Sequence, residues 1–256
     1  MFRQIPIAQI CNPYPLTQRT IIRIQIKMKD SRILASSLTF LETLATNNNR
    51  EWFAENKETY ISAQRNIIAF IDQLILLMNT HDAIENESGK KSLYRIYNDV
   101  RFSKDKSPYK PRFAFSLQRA TKLKRGGYYM NIEPGNNYLA CGFFSPNPED
   151  LKRIRKDIEL NFKDWCKILN AKPITDNFVE LTGSTVPTFP KGFPKDHEAI
   201  NLIRHKQFIL RHNFTDQKVI DPKFVHKVNE IFKSVRPFFD HLSVVLTTDL
   251  NGEIKV

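Results

Sequence analysis

The hydrophobic positions of this 256-residue chain change their period near residue 93. Upstream, apolar residues recur at helical spacing. Leu38, Leu41 and Leu44 share one face of a helix expected over roughly 36–46. A second helix is expected from Asn48, a capping residue with Glu51 three positions on. Its apolar stripe runs through Trp52, Phe53, Tyr60, Ile67, Ile68, Ile71 and Leu74 or Ile75. The longest apolar run, 67–78, is interrupted by Asp72 and Gln73 and reads as a buried helix rather than a membrane span. From residue 93 the period is two, and 93–102, 112–118, 127–134 and 136–144 read as successive antiparallel strands. Asn147 and Pro148 open another helix, whose apolar stripe continues to Leu169. A further strand is expected over 205–214. A final helix, from Asp221-Pro222 to about 246, should bend at Pro237. The pattern predicts an α+β fold: N-terminal helices, a central antiparallel sheet of about four to six strands, and helices after the sheet and at the C-terminus. Residues 30–256 read as a single domain, with no internal repeat or long linker.

The formal charge of +12 is unevenly placed. Residues 1–29 hold five basic groups and no acidic one, while residues 90–125 hold twelve basic groups against Asp99 and Asp105. The rest of the chain has 22 basic and 25 acidic groups, a slightly acidic body. Charge concentrated in this way points to an anionic partner. The tail is Arg-containing and acid-free, as transit peptides are. The globular pattern begins only after Met28, however, which favours a disordered arm or an upstream start. Cys11, Cys141 and Cys166 are widely separated and form no CxxC pair, which suggests reduced thiols and a cytoplasmic setting. Cys141 reads as a small buried hydrophobe.

If 94–102 is a strand, Tyr94, Ile96, Val100 and Phe102 share one face, with Asn98 out of place, and Arg95, Tyr97, Asp99 and Arg101 share the other. Asp99 would then orient two guanidiniums whose remaining donors suit a bidentate anion. In the loop that follows, Asp105 and Ser107 suit turns, and Lys106, Tyr109 and Lys110 lie within reach of the strand's end. Arg112, Ser116 and Gln118 share one side of the next strand, and Tyr129, Asn131 and Glu133 one side of the strand after it. The bland alternative is an Arg–Asp–Arg row that staples sheet to helix. For Lys104, Lys106, Lys110 and the 122–125 cluster it is a solvated surface, the cluster sitting at an exposed hairpin tip.

At these residues the chain resembles the DUF2461 family of uncharacterised proteins, over most of 36–246. The resemblance is strongest in "RIYNDVRFSKDKSPYK", at Arg95, Asp99, Arg101, Phe102, Asp105, Lys106 and Tyr109. "NNNREWFAENKETY", "GYYMNIEP" with Glu133, and "PKGFPKDHE" with Lys191, Gly192 and His197 support it. The family pattern has an arginine immediately before the Asp, where this chain has Asn98, so the row is one cation short. The resemblance implies a family and not an activity.

Other chemistry is sparse. The six histidines show no metal-ligand spacing, and there is no GxGxxG, Walker loop or GxSxG elbow, so neither metal nor cofactor is expected. His197 stands in a Pro/Gly-shaped loop with Lys191, Lys195 and Asp196, and is a candidate acid/base if the fold brings it to the Arg95–Asp99–Arg101 row. Two functional readings follow. One is a module in which Arg95, Arg101, Lys106, Tyr109 and Lys110 hold the phosphate of a nucleic acid or nucleotide. The other is an enzyme that clamps a small phosphorylated or carboxylated substrate and transfers protons through Asp99, Glu133, Tyr109 or His197. A third reading, a structural protein with charge for solubility, fits the concentrated segment less well.

Overall fold

Alternation of apolar and polar residues over 113–143 builds the centre of the molecule. The computed structural model describes residues 31–101, 104–248 and 253–254; the basic tail and Phe102 lie outside the described residues. β1 (Phe113–Gln118), β2 (Gly127–Ile132), β3 (Asn137–Phe143), β4 (Leu181–Thr182) and β5 (Phe208–Phe214) form one antiparallel sheet in the order β1-β2-β3-β5-β4. Residues of one parity face inward. Phe113, Phe115, Leu117, Tyr128, Met130, Ile132, Leu139, Cys141, Phe208 and Leu210 all join the core. Those of the other parity, including Ser116, Tyr129, Tyr138 and Arg211, lie on the outer face.

The helices close over the inner face. α1 (Ala35–Thr46) precedes a short α2 (Arg50–Glu55) and a long α3 (Lys57–Met78), with α4 (Gly89–Ser92) leading to the sheet. The cap of α2 is Asn49, which accepts from Trp52 N, and not Asn48. The expected single helix also breaks at Asn56. α3 is long and apolar enough, by length and composition, to cross a membrane, but Ile67, Phe70, Ile71 and Leu74 are wholly buried in the protein core. Asn147 caps α5 (Pro148–Leu160) as expected, accepting from Asp150 N. α6 (Phe162–Leu169) is separated from it at Asn161. Three single-turn helices follow: α7 (Lys172–Thr175), α8 (Ile200–Ile203) and α9 (Asp216–Val219). The expected bent terminal helix is two helices, α10 (Phe224–Ser234) and α11 (Arg236–Thr247), parted at Val235. Pro237 sits in the first turn of α11, where its missing N–H leaves no bond unmade.

One buried carboxylate ties helix to sheet. Asp82 accepts from Arg119 Nε at 2.8 Å and from the Tyr128 hydroxyl at 2.7 Å, with Arg236 and Lys124 also close. Arg119 reaches on to Asp240 of α11 at 2.7 Å. Burial would raise the Asp82 pKa, but Arg119, Tyr128 and Arg236 together outweigh it and hold the carboxyl below its ordinary value. This network corrects the expectation of an exposed 122–125 tip. Lys122 and Leu123 are exposed, but Lys124 pairs with Asp82 and Arg125 with Asp150.

A second depressed carboxylate is Asp157. Burial pushes its pKa up, and hydrogen bonds from His241, Trp165 and Asn161 bring it down further than that. His81 and His205 are shifted down, chiefly by burial. For all four groups the folded pKa is depressed, so their stabilisation is present at high pH and lost on acidification. We expect the melting temperature to decline gently below about pH 6.5 as the histidines charge, and steeply below about pH 3.9 as the carboxylates protonate. A melting series across pH checks this; a maximum in the acid range would contradict it.

Candidate functional site

The described part of the expected strand, 93–101, does not form one. It meets the facing chain through two isolated bridges, Leu93↔Phe115 in β1 and Tyr97↔Tyr109 ahead of it, so four steps of chain on one side face six on the other. The surplus bows the chain between Tyr109 and Phe113, around Pro111, which has no N–H to give to a ladder. Backbone bonds remain from Tyr94 N to Ala114 O, Lys110 N to Ile96 O and Asn98 N to Pro108 O, and side chains supplement them. Asn48 accepts from Tyr109 N at 3.1 Å and donates to Tyr109 O at 2.8 Å. Asn98 donates to the carbonyls of Ser107 and Tyr109. Asn98, the misfit in the alternation, is thus a clip that closes the loop.

Such a bulge re-aims side chains. Ile96 stays buried, but Tyr94 is 50 % exposed and turned to the outer face, where its hydroxyl donates to Ser116 Oγ at 2.9 Å. Tyr97 leaves the expected cationic row and stands near Phe53 and Tyr109. The same distortion gathers Arg95, Lys110 and Arg112 around a cleft of about 250 Å³, with Tyr94, Ala114 and Tyr129 as the remaining walls. Burial lowers the Lys110 pKa, and the charges of Arg112 and Arg95 lower it further. Burial also raises the Tyr129 phenol to about 12, assisted by Tyr138. Among the described residues, none of these three cations is salt-bridged to a carboxylate.

A second cleft, of about 320 Å³, adjoins the first through Lys110 and Arg112 and includes Asp105, Tyr109 and Glu133. Glu133 is fixed there by the amides of Asn131 and Asn136, at 3.0 and 2.7 Å. The Tyr109 ring is buried, stacked on Phe53 with centroids 3.9 Å apart, and burial raises its phenol pKa. Asp105 serves its turn by accepting from Ser107 N. A wider depression of about 550 Å³ lies at Thr215–Pro222, where Lys218 already pairs with Asp221 at 3.1 Å.

The other sequence candidates lie outside both clefts. Asp99 holds Arg101 through two bonds, Nε to Oδ1 at 2.9 Å and Nη2 to Oδ2 at 2.7 Å. Its carboxyl is depressed mainly by Arg101, with Arg95 acting only at longer range. The expected Arg95–Asp99–Arg101 row is therefore one exposed ion pair and one separate arginine. Lys104 and Lys106 are exposed, and Lys106 donates to Val100 O. His197 does not line either cleft. The bridge Thr185↔His205 places its segment beside β4 and β5, at the opposite edge of the sheet from β1. There its Nδ1 accepts from Ala199 N, the residue just ahead of α8.

Arg112 and Tyr129 were grouped by parity in the sequence, but nothing there marked them as a pair. Asn48 is the support for the whole loop. Asn48→Ala strips Tyr109 of two hydrogen bonds and is expected to cost about 1–3 kcal/mol. Limited proteolysis should then cut within 98–108 faster than in the parent; unchanged protection would refute the clip.

The fold and clefts define an α+β domain whose bulged sheet edge presents three convergent cations and a nearby carboxylate. The chain belongs to the DUF2461 family: the model of that family, described as a conserved hypothetical protein, matches residues 36–241. Comparisons with curated proteins and with solved structures found no match for this chain.

Proposed function

We propose that the protein binds a phosphate-bearing ligand in the cleft of Arg95, Lys110 and Arg112. The observation that carries this reading is the convergence of three cations whose charges oppose one another. Such an arrangement is unfavourable by itself and becomes favourable when an anion enters. The guanidiniums of Arg95 and Arg112 supply forked donors, and the Lys110 ammonium a point charge. Arg101, held by Asp99, and Lys106 stand on the adjoining loop and add long-range attraction. The neighbouring Glu133 supports a second reading, in which an enzyme clamps a phosphorylated substrate with Lys110 and Arg112 and uses Glu133 to move a proton.

A thermal-shift series with phosphate, nucleotides and sugar phosphates tests binding. A ligand at about 100 times its dissociation constant adds roughly 2.7 kcal/mol, a rise of about 5–10 °C for a domain of this size. No shift with any phosphate compound would sink the proposal. Glu133→Gln separates the two readings: it should leave binding intact, and it abolishes turnover only if the protein is an enzyme.

A further inference from the structure

Three tyrosines lead away from the cationic cleft across the outer face of the sheet. Tyr94 and Tyr129 are walls of the cleft, with ring centroids 6.3 Å apart. Tyr138 of β3 continues the row 5.8 Å beyond Tyr129. At its far end Arg211 of β5 lies over the Tyr138 ring, its Cζ 3.7 Å from the centroid. The strand register sets this order. Tyr129 lies opposite Ser116 on one side and Ala140 on the other, so small residues separate the rings along each neighbouring strand.

This aromatic layer is distinct from the core. Tyr94, Tyr129 and Tyr138 are absent from the buried apolar cluster, and Ala114 and Ala140 are buried without joining it. Cross-strand aromatic pairs support a sheet, but they do not need cations at both ends of the row. Here Arg95, Lys110 and Arg112 stand at one end and Arg211 at the other, with Glu133 the carboxylate beside the first group.

We propose that this outer face binds single-stranded nucleic acid. Bases stack on Tyr94, on Tyr129 and on the Arg211 guanidinium that Tyr138 supports, while phosphates meet Arg95, Lys110 and Arg112. The inference rests on the phosphate-binding reading and deepens it by naming the ligand class. A duplex keeps its base faces inside the helix and has none to offer the tyrosines. A free mononucleotide engages only the cleft and leaves most of the row unused. Aromatic rows flanked by cations suit single strands of any sequence, because every base has a π-face.

The test is fluorescence anisotropy on the full chain, using single-stranded DNA and RNA of about 12 nucleotides and the corresponding duplex. Inorganic pyrophosphate and a nucleoside monophosphate are titrated in parallel. The single strand should bind at least about tenfold more tightly than the duplex, and Tyr94→Ala and Tyr138→Ala should each weaken it by about tenfold. Tyr94→Phe and Tyr138→Phe should restore binding, and melting curves verify that every variant is folded. Equal affinity for single strand and duplex, with alanine variants that bind like the parent, overturns the inference but leaves the phosphate cleft standing. Pyrophosphate binding without strand binding does the same. Binding of no probe at all overturns both.

Discussion

Replacing Arg95 and Arg112 together by alanine should weaken binding of a phosphate-bearing ligand by about a hundredfold or more, while the protein stays folded. Each hydrogen bond to a charged group is worth about 1.5–3 kcal/mol, and the double variant removes both forked donors from the cleft. If the ligand is a single strand, the slope of log affinity against log salt should also flatten by about 1.4, roughly 0.7 for each lost phosphate contact. Stability should change little, within about 0.5 kcal/mol, because neither arginine is paired with a carboxylate among the described residues. Removing two of three opposing charges also relieves Lys110, whose pKa should rise toward its ordinary value. Parent-like affinity in the double variant would move the site elsewhere. A large drop in melting temperature would show that the arginines hold the sheet edge together.

Asp82→Ala should destabilise the protein more than the loss of the Asn48 clip or of the cleft arginines. The Asp82 side chain is fully buried and that of Arg119 almost so. The variant leaves the Arg119 guanidinium and the Tyr128 hydroxyl without their shared acceptor. Breaking a buried pair by removing one partner costs about 3–5 kcal/mol, far more than the pair's net contribution against an apolar replacement. At about 2–4 °C per kcal/mol, that is a fall of about 6–20 °C. Urea melts of the parent, Asp82→Ala and Asp82→Asn measure it. Asparagine should recover part of the loss, since it still accepts hydrogen bonds. A cost below about 1 kcal/mol would mean that Arg119 holds its place through Asp240 and the backbone carbonyl of Arg125 instead.

The inner half of the fold was legible because alternation has one physical cause. Phe113, Phe115, Leu117, Tyr128 and Met130 must all leave water on the same side, and their spacing records it. The Asn147 cap was legible because its whole signal lies within four residues. Asn48 and Asn49 are two equally good capping residues in sequence. Only the long-range bonds to Tyr109 decide that Asn49 caps and Asn48 clips. The strand expected over 93–102 failed for a similar reason. Its own alternation was sound, but the partner it had to pair with contained Pro111 and a surplus of residues.

Half of the cleft could be read in advance. Arg95 and Lys110 stood out by charge, and Arg112 and Tyr129 by their outward parity. What brought them together is the bulge, a relation between two segments that neither one carries alone. Arg101 and Lys106 were equally attractive by charge, yet Arg101 is held by Asp99 and Lys106 by a carbonyl of its own loop. Tyr138 lies across a short hairpin from Tyr129, but Arg211 reaches it only through the pairing of β3 with β5, which no local pattern could have given. The Asp82 hub is hidden for the same reason, since Arg119 and Arg236 reach it from distant parts of the chain.

The most direct test of the anion cleft is to find where an anion sits. Backbone amide resonances of the isotopically labelled protein would be followed by NMR as inorganic pyrophosphate is added. The account predicts saturable shifts centred on Tyr94, Arg95, Lys110, Arg112 and Tyr129, and none of them in the Arg95→Ala/Arg112→Ala variant. Saturable shifts centred elsewhere, such as the depression at Thr215–Pro222, or no saturable shifts at all, would contradict it.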